Sequence, residues 1–412
     1  MSRVATTAPP TEAQRRAGAA RLPATVVGLG LVSLFTDLSS EAIFPLLPAF
    51  LVTLGASNSF IGVVEGAADL VANVLKYLAG READQRKRLK PMVLLGYGIS
   101  TVARPLVAFA TVPWHVLVVR MADRVGKGIR TAPRDALIAA VADPAIRGRA
   151  FGFHRAMDHL GAALGTVLAL SLLWLFGVRS SGAATAEVMR SVFLWAAVPG
   201  LVAMIALAWT PERPHPPPIA RLPRGSGLPG PLRRALVPLT LFAFANATDA
   251  FLLVKAARLG APPAAAPLLW LALQVIKASL GTAGGRLADR YGQRRALLVG
   301  WCVYAVLWGA IGFAGSLPAL FVLTALYGTS HGLVEGAERA LVAELAGGRS
   351  RGAAFGAYSM VIGVATMLAS AGFGLVWDRF GSAPAFVGSA SCAIAAAATL
   401  AWLVRAAPAA RR

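Results

Sequence analysis

Charge is scarce in this 412-residue sequence: only 14% of residues are Asp, Glu, Lys or Arg, against about 25% in a soluble globular chain. A chain that poor in charge cannot cover its surface for water, which argues against a soluble enzyme. There are two cysteines, Cys302 and Cys392, in separate apolar stretches. Without a CxxC pair or a Cys framework, the sequence offers no disulfide scaffold, zinc finger or thiol redox centre. It has five histidines and no HExxH string, so a zinc-protease helix is excluded. No GxxxxGK[ST] loop occurs either, which excludes nucleotide hydrolysis by a phosphate loop. Acidic residues are few, 19 against 40 basic ones, for a formal net charge of +21. In a soluble protein that balance would suggest nucleic acid.

What fills the space is apolar: hydrophobic residues make up 57%, and the mean hydropathy is +0.64. The apolar stretches fall near 25–53, 59–80, 91–112, 114–142, 148–177 and 191–210, then near 235–259, 264–284, 293–314, 317–346, 352–377 and 383–405. A spanning helix needs about 20 residues, so the spacing predicts twelve crossings, six on each side of a Pro-, Gly- and Arg-rich linker. The basic residues occupy alternate loops: Arg3 to Arg21, Arg81 to Lys90, Arg147 and Arg149, Arg213 to Arg234, Arg286 to Arg295, Arg349 and Arg351, and Arg405 to Arg412. The intervening loops hold only Arg179, Arg190, Arg258 and Arg379. This alternation follows the positive-inside rule, puts both termini in the cytosol and argues against nucleic acid.

The two halves repeat each other. Residues 80–91 read GREADQRKRLKP and residues 285–295 read GRLADRYGQRR, an offset of 205; RGRAFG at 147–152 returns as RGAAFG at 351–356, an offset of 204. Between them RDALIA at 134–139 is echoed by RALVA at 339–343. On these motifs the sequence resembles the major facilitator superfamily of secondary transporters, whose loop between helices 2 and 3 reads roughly GxLADRxGR[RK] and recurs between helices 8 and 9. The second copy fits at nearly every position; the first has Glu82, Gln85 and Lys87 in place of the usual leucine, arginine and glycine. The resemblance spans about 24–405. It implies an all-α membrane protein with twelve transmembrane helices in two pseudo-symmetric six-helix bundles, at 24–210 and 235–405. These are flanked by cytosolic tails at 1–23 and 406–412 and joined by a cytosolic linker at 211–234.

Ionisable residues within the apolar segments are the candidate functional set, since such groups are costly in hydrocarbon unless paired, wet or protonated. In the first segment Asp37 and Glu41 are four apart and share a face. An alternative reading makes them a structural pair bridged to arginines of a neighbouring helix. The second segment brings Asp69, and the third Arg104. The fourth carries Arg120, Asp123, Arg124, Lys127, Arg130 and Arg134. The resemblance implies that Arg120 is the helix-4 arginine that meets proton-coupling carboxylates, with Arg124 where the family has glycine. In the fifth, Asp158 is three and four residues beyond Arg155 and His154, so a local network is available. The family's GPxxGG element of antiporters is replaced there by Gly165 and Thr166. The second half adds Asp249, His331, Glu335 and Glu338. At an offset of 205, Glu335 answers Arg130, as a salt-bridged gate between halves requires; chance divergence would give the same pairing.

These readings lead to one expectation of function. Asp37, Glu41, Asp69, Arg104, Arg120, Asp123, Arg124, Asp158, Asp249, His331 and Glu335 are expected at a proton-coupling or substrate cavity. Asp84, Arg88, Lys127, Arg130, Arg134, Asp289, Arg290, Arg294, Glu338 and Arg339 are expected at gates. The implied activity is proton-coupled transport of a small organic solute by alternating access, in the direction of efflux. The alternatives are uptake or exchange of an anionic or zwitterionic metabolite, and a non-transporting sensor of the same fold. No enzyme activity, metal or cofactor is expected; the partners are solute, protons and lipid, the working form a monomer, and the location a bacterial inner membrane.

Overall fold

The computed structural model describes residues 21–56, 58–176, 186–212, 228–261, 265–347 and 351–403. The 406–412 tail, most of the 1–23 tail and of the 211–234 linker, and the Asp69 side chain lie outside the described residues.

Prolines and glycines decide where the apolar stretches break. The first segment runs as α1 (Ala24–Ile43), a 3-10 turn at Phe44–Leu46 opened by Pro45, and α2 (Leu47–Thr53). Then come α3 (Asn58–Ala83) and α4 (Lys90–Ala103), the latter ending in a 3-10 stretch, Arg104–Phe109, that contains Pro105. Proline lacks the N–H that an α-helix would use there. The first half closes with α5 (Pro113–Val141), α6 (Arg147–Leu175), α7 (Ala186–Trp195) and α8 (Ala197–Trp209). The second half comprises α9 (Gly230–Ala245), α10 (Ala250–Arg258), α11 (Ala265–Tyr291), α12 (Gln293–Gly312), α13 (Leu317–Ala346), α14 (Arg351–Phe380) and α15 (Ser382–Leu403). Gly292 alone separates α11 from α12, at φ +95°, a conformation that costs a residue with a Cβ.

Each of the twelve expected segments has a helical counterpart, and every regular element among the described residues is helical. Nine stretches among these residues are long and apolar enough to cross a membrane by themselves. The other three have physical reasons to fall short: α3 and α5 carry many charges, and the seventh segment is interrupted at 246–249. Large apolar side chains face outward, including Trp114 and Trp174 towards one end of the bundle and Trp209 and Trp402, 85% and 78% exposed, towards the other. Two such tryptophan belts suit the two interfaces of a bilayer.

Across the halves, α6 packs on α11 and α3 on α14. The approach is close because glycines face each other. A Cβ on Gly80 would strike the carbonyl oxygen of Gly352, and one on Gly285 that of Gly148. Packing also sets the register of the repeat within α5 and α13. Gly128 lies against Leu75, and Gly332 against Leu280, which makes the offset there 204 rather than 205.

Candidate functional site

The loop motifs hold the halves together at one end. Asp84, one residue beyond α3, accepts hydrogen bonds from the N–H groups of Gly352 (2.7 Å) and Ala353 (2.8 Å), the first turn of α14. Asp289 does the same to Gly148 (2.6 Å) and Arg149 (2.7 Å) at the start of α6. A carboxylate there meets orphan N–H groups and the positive end of the helix. Asp289 also accepts from Gln293 Nε2 at 3.1 Å; the matching residue at an offset of 205 is Arg88, which is exposed. Among the other expected gate residues, Arg290 stacks on Tyr291 (5.3 Å) and Arg294 donates to the carbonyl of Ala401.

Between the halves lies a first cavity of about 290 Å³. Its wall includes Asp37 of α1, Lys76 of α3, Lys127, Arg130 and Arg134 of α5, Arg155 and Asp158 of α6, Arg339 of α13 and Tyr358 of α14. Lys127, Arg130 and Arg134, expected at a gate, therefore share a cavity with Asp37. Arg130 is held by neutral groups: Ser100 Oγ at 2.5 Å, the Gly96 carbonyl at 3.4 Å and the Tyr97 ring at 4.3 Å. Asp158 accepts from Arg155 at 2.7 Å, lies 3.6 Å from His154 Nδ1 and accepts from Ser33 of α1. This is the local network read from the sequence, with α1 added.

The arginines expected to face Asp37 and Glu41 go elsewhere. Arg104 donates to Asp123 (2.9 Å) and to the Thr36 carbonyl (2.8 Å), and Arg120 lies 3.9 Å from the same Asp123. Arg120 and Arg124 also sit over the Phe44 ring, at 3.8 and 5.4 Å. The reason is tertiary: Asp123 is on the turn of α5 that faces Arg104 and takes its guanidinium. Glu41 lies beside Gly165 of α6, away from the cavity wall. The supposed Arg130–Glu335 gate is not formed. At the register that packing imposes, Arg130 answers Val334, and Glu335 pairs instead with His159 (3.1 Å) and His331 (3.3 Å).

That pairing belongs to a hydrogen-bonded chain in the second half. Lys277 donates to Asp249 (2.6 Å), Tyr327 donates to Asp249 (2.7 Å), and His331 contacts the Tyr327 hydroxyl (2.8 Å). His159 of α6 joins the chain from the first half and also meets Gln274 at 3.1 Å. Asp249 stands in the break between α9 and α10 rather than within a continuous helix. A second cavity of about 220 Å³ adjoins this chain, with Leu239, Phe242, Tyr304 and Val334 among its walls. It shares Arg155, Arg339, Tyr358 and Ile362 with the first. A larger cavity, about 370 Å³, is walled by Lys255, Arg258, Trp377 and Asp378 of one half only, so it is off the path between the halves.

Two further residues carry weight. Asp135 of α5 holds Arg134 at 2.9 Å and, across the halves, Arg339 at 3.7 Å. Tyr358 donates to Glu338 at 2.6 Å; it follows Phe355 by three, as His154 follows Phe151, so the repeat carried a signal for it. A GxSxG string at 328–332 lies inside continuous α13, where Ser330 donates to the Tyr327 carbonyl at 2.8 Å. No strand-turn-helix elbow exposes it as a nucleophile. Among the described residues no cluster of three or more His, Cys, Asp or Glu has the geometry to hold a metal ion.

Comparison with known proteins agrees with this architecture. The chain is 31% identical to an uncharacterized MFS-type transporter of Methanocaldococcus jannaschii over 359 residues, 85% of this chain and 87% of the relative. It is 27% identical to the multidrug resistance protein MdtH of Klebsiella pneumoniae over 347 residues, 82% of each chain. Its fold superposes on the crystal structure of the human organic anion transporter MFSD10 with a TM-score of 0.77 at 18% identity, covering 92% of this chain and 99% of that one. The family model of the Major Facilitator Superfamily matches residues 29–254 and again 235–412, and the chain belongs to that family of multi-pass membrane transporters.

Proposed function

We propose that the protein is a proton-coupled secondary transporter that exports a small organic solute by alternating access, working as a monomer in a bacterial inner membrane with both termini in the cytosol. The observation that carries this reading is the pair of adjoining cavities walled by both halves, with the halves pinned together at one end by Asp84 and Asp289. Release of the pins and rocking of the two bundles, at 24–210 and 235–405, would open that end. Asp37 is the coupling carboxylate: it borders the first cavity among Lys127, Arg130 and Asp158, so proton and solute meet the same charges. Export is favoured by the 27% identity to a protein named for multidrug resistance.

The test is proton uptake measured together with solute flux in proteoliposomes, using amphipathic fluorescent probes of either charge. An imposed pH gradient is expected to drive wild-type flux. Asp37→Asn should abolish gradient-driven flux while retaining binding and exchange, and Glu41→Gln, away from the wall, should weaken it about tenfold or less. Undiminished pH-driven flux in Asp37→Asn would overturn the assignment.

A further inference from the structure

The two cavities differ in chemistry, and the difference identifies the solute. The first is strongly cationic: Lys76, Lys127, Arg130, Arg134, Arg155 and Arg339 line it, against Asp37 and Asp158. Arg134 has Asp135 and Arg155 has Asp158, but the hydrogen bonds of Arg130 go to a hydroxyl and a carbonyl. The Nε of Arg155 is buried without a hydrogen-bond partner among the described residues, and that of Arg339 has only the Asp135 carboxylate, at 3.7 Å. A buried guanidinium donor left unused is costly, and its planar fork is shaped for an oxyanion. A cationic solute in this space would meet an excess of like charge, which disfavours it. Behind Arg155 and Arg339, which border both spaces, the second cavity offers Leu239, Phe242, Tyr304 and Val334 to an apolar body, alongside the polar chain of His159, His331, Glu335 and Glu338.

Taking the cavities as the transport site proposed above, we propose that the solute is an amphipathic organic anion. Its acidic head lies in the first cavity among Lys127, Arg130 and the Arg155–Arg339 pair, and its apolar body in the second against Phe242, Tyr304 and Val334. Arg155 and Arg339 come one from each half, so the head bridges the bundles and ties occupancy to their relative position. The head supplies the acceptors that the arginines lack. The body supplies affinity through apolar burial, roughly 25 cal/mol per Å² removed from water.

The experiment is equilibrium binding to the full chain in detergent, with no gradient, so a failure of coupling and a failure of anion recognition are read separately. The probes are 1-naphthoate, 1-naphthylmethylammonium and acetate. Naphthoate is expected to bind at least tenfold more tightly than the ammonium and a hundredfold more tightly than acetate (on the order of 1.4 and 2.7 kcal/mol at 25 °C). Arg130→Gln and Lys127→Met should each weaken naphthoate about tenfold, and Phe242→Ala should weaken naphthoate but not acetate. Circular dichroism and gel filtration establish that each variant is folded. Tighter binding of the ammonium, unchanged naphthoate affinity in both cation variants, or no binding of naphthoate would overturn the proposal. If naphthoate binds as expected yet no pH gradient moves it in proteoliposomes, the anion site stands and the coupling reading falls.

Discussion

Helices α5 and α13 occupy equivalent places in the two halves, yet their interiors are built on different chemistry. At the register of 204 that the glycine contacts impose, Asp123 answers Tyr327, Lys127 answers His331, and the pair Arg134–Asp135 answers Glu338–Arg339. Around α5 the interior is a net of buried ions: Arg104 and Arg120 on Asp123, and Arg134 on Asp135. Around α13 a stack of rings stands beside the Lys277–Asp249 and His331–Glu335 pairs, with Trp308 against Tyr304 (5.6 Å), Tyr327 (4.9 Å) and Phe386 (4.8 Å). The junctions at Asp84 and Asp289, by contrast, are the same device made twice. What stayed alike is the contact that joins the halves at one end; what diverged is the interior of each bundle.

One contact shows why divergence near the axis is constrained. Asp135 and Arg339 are equivalent by sequence and face each other at 3.7 Å. Residues that meet their own counterparts across a pseudo-two-fold cannot both be arginine without repulsion, so the two copies must be complementary. Asp135 also serves Arg134 at 2.9 Å, and this makes the comparison easy to break on one side only. Asp135→Asn takes the carboxylate from the buried Arg134 and the half-buried Arg339 and should cost about 3–5 kcal/mol, the usual penalty for breaking a buried pair. Arg339→Gln leaves Asp135 its other partner and should cost about 1 kcal/mol. Thermal unfolding in detergent ranks the two; equal losses would show that Asp135 does not serve both arginines. The double variant should fall short of the sum of the singles, because the sites touch.

A smaller effect is the pH response of the Asp84 junction. Burial in the closed junction raises the Asp84 carboxyl from 3.8 to about 6, although the N–H donors of Ala353 and Gly352 pull the other way. A group whose pKa is higher in one state binds its proton more tightly there, so acidification through about pH 6 favours the closed junction and alkalinisation withdraws that preference. The linkage is one proton, hence at most about tenfold in population per pH unit. Spin-label distances between the 83–88 loop and the start of α14 should shorten on average from pH 7.5 to 5.5 in wild type and shorten less in Asp84→Asn. A variant that remains as pH-sensitive as wild type would remove Asp84 from this role.

How much of this was legible in the sequence follows from range. The repeat, the crossings and the loop aspartates were, because each depends on local strings that recur with the same spacing. The pairing of Arg104 with Asp123 was not, since it depends on which face of α4 meets α5. The wall positions of Lys127, Arg130 and Arg134 were missed for a related reason: basic residues towards the end of a spanning helix look like interface anchors until a cavity is seen to reach them. The register error at Glu335 came from carrying one offset through a repeat in which another applies. The break before Asp249 had only Asn246 as a signal.

The mildest test asks whether the two junctions lie on the cytosolic side, as the basic loops imply. Cys302 and Cys392 are exposed and without disulfide partners, so replacing both with serine should change stability by no more than about 0.5 kcal/mol and leave flux within about twofold. Into that background single cysteines can be placed where they disturb little. Arg86 is exposed beside the first junction, its contacts limited to Glu82 at 2.8 Å. Gly315, between α12 and α13 at the opposite end, has open space where a Cβ would go. A membrane-impermeant maleimide added to intact cells should label Gly315→Cys and spare Arg86→Cys until the membrane is permeabilised. The positive-inside rule counts short loops close to the helix ends, and the 83–88 loop with Arg86, Lys87 and Arg88 is such a loop, whereas 313–316 holds no charge at all. The inverse labelling pattern would turn the molecule over. It would put the Asp84 and Asp289 junctions on the outer face, and the pins would then close the cavities against the outside rather than against the cytosol.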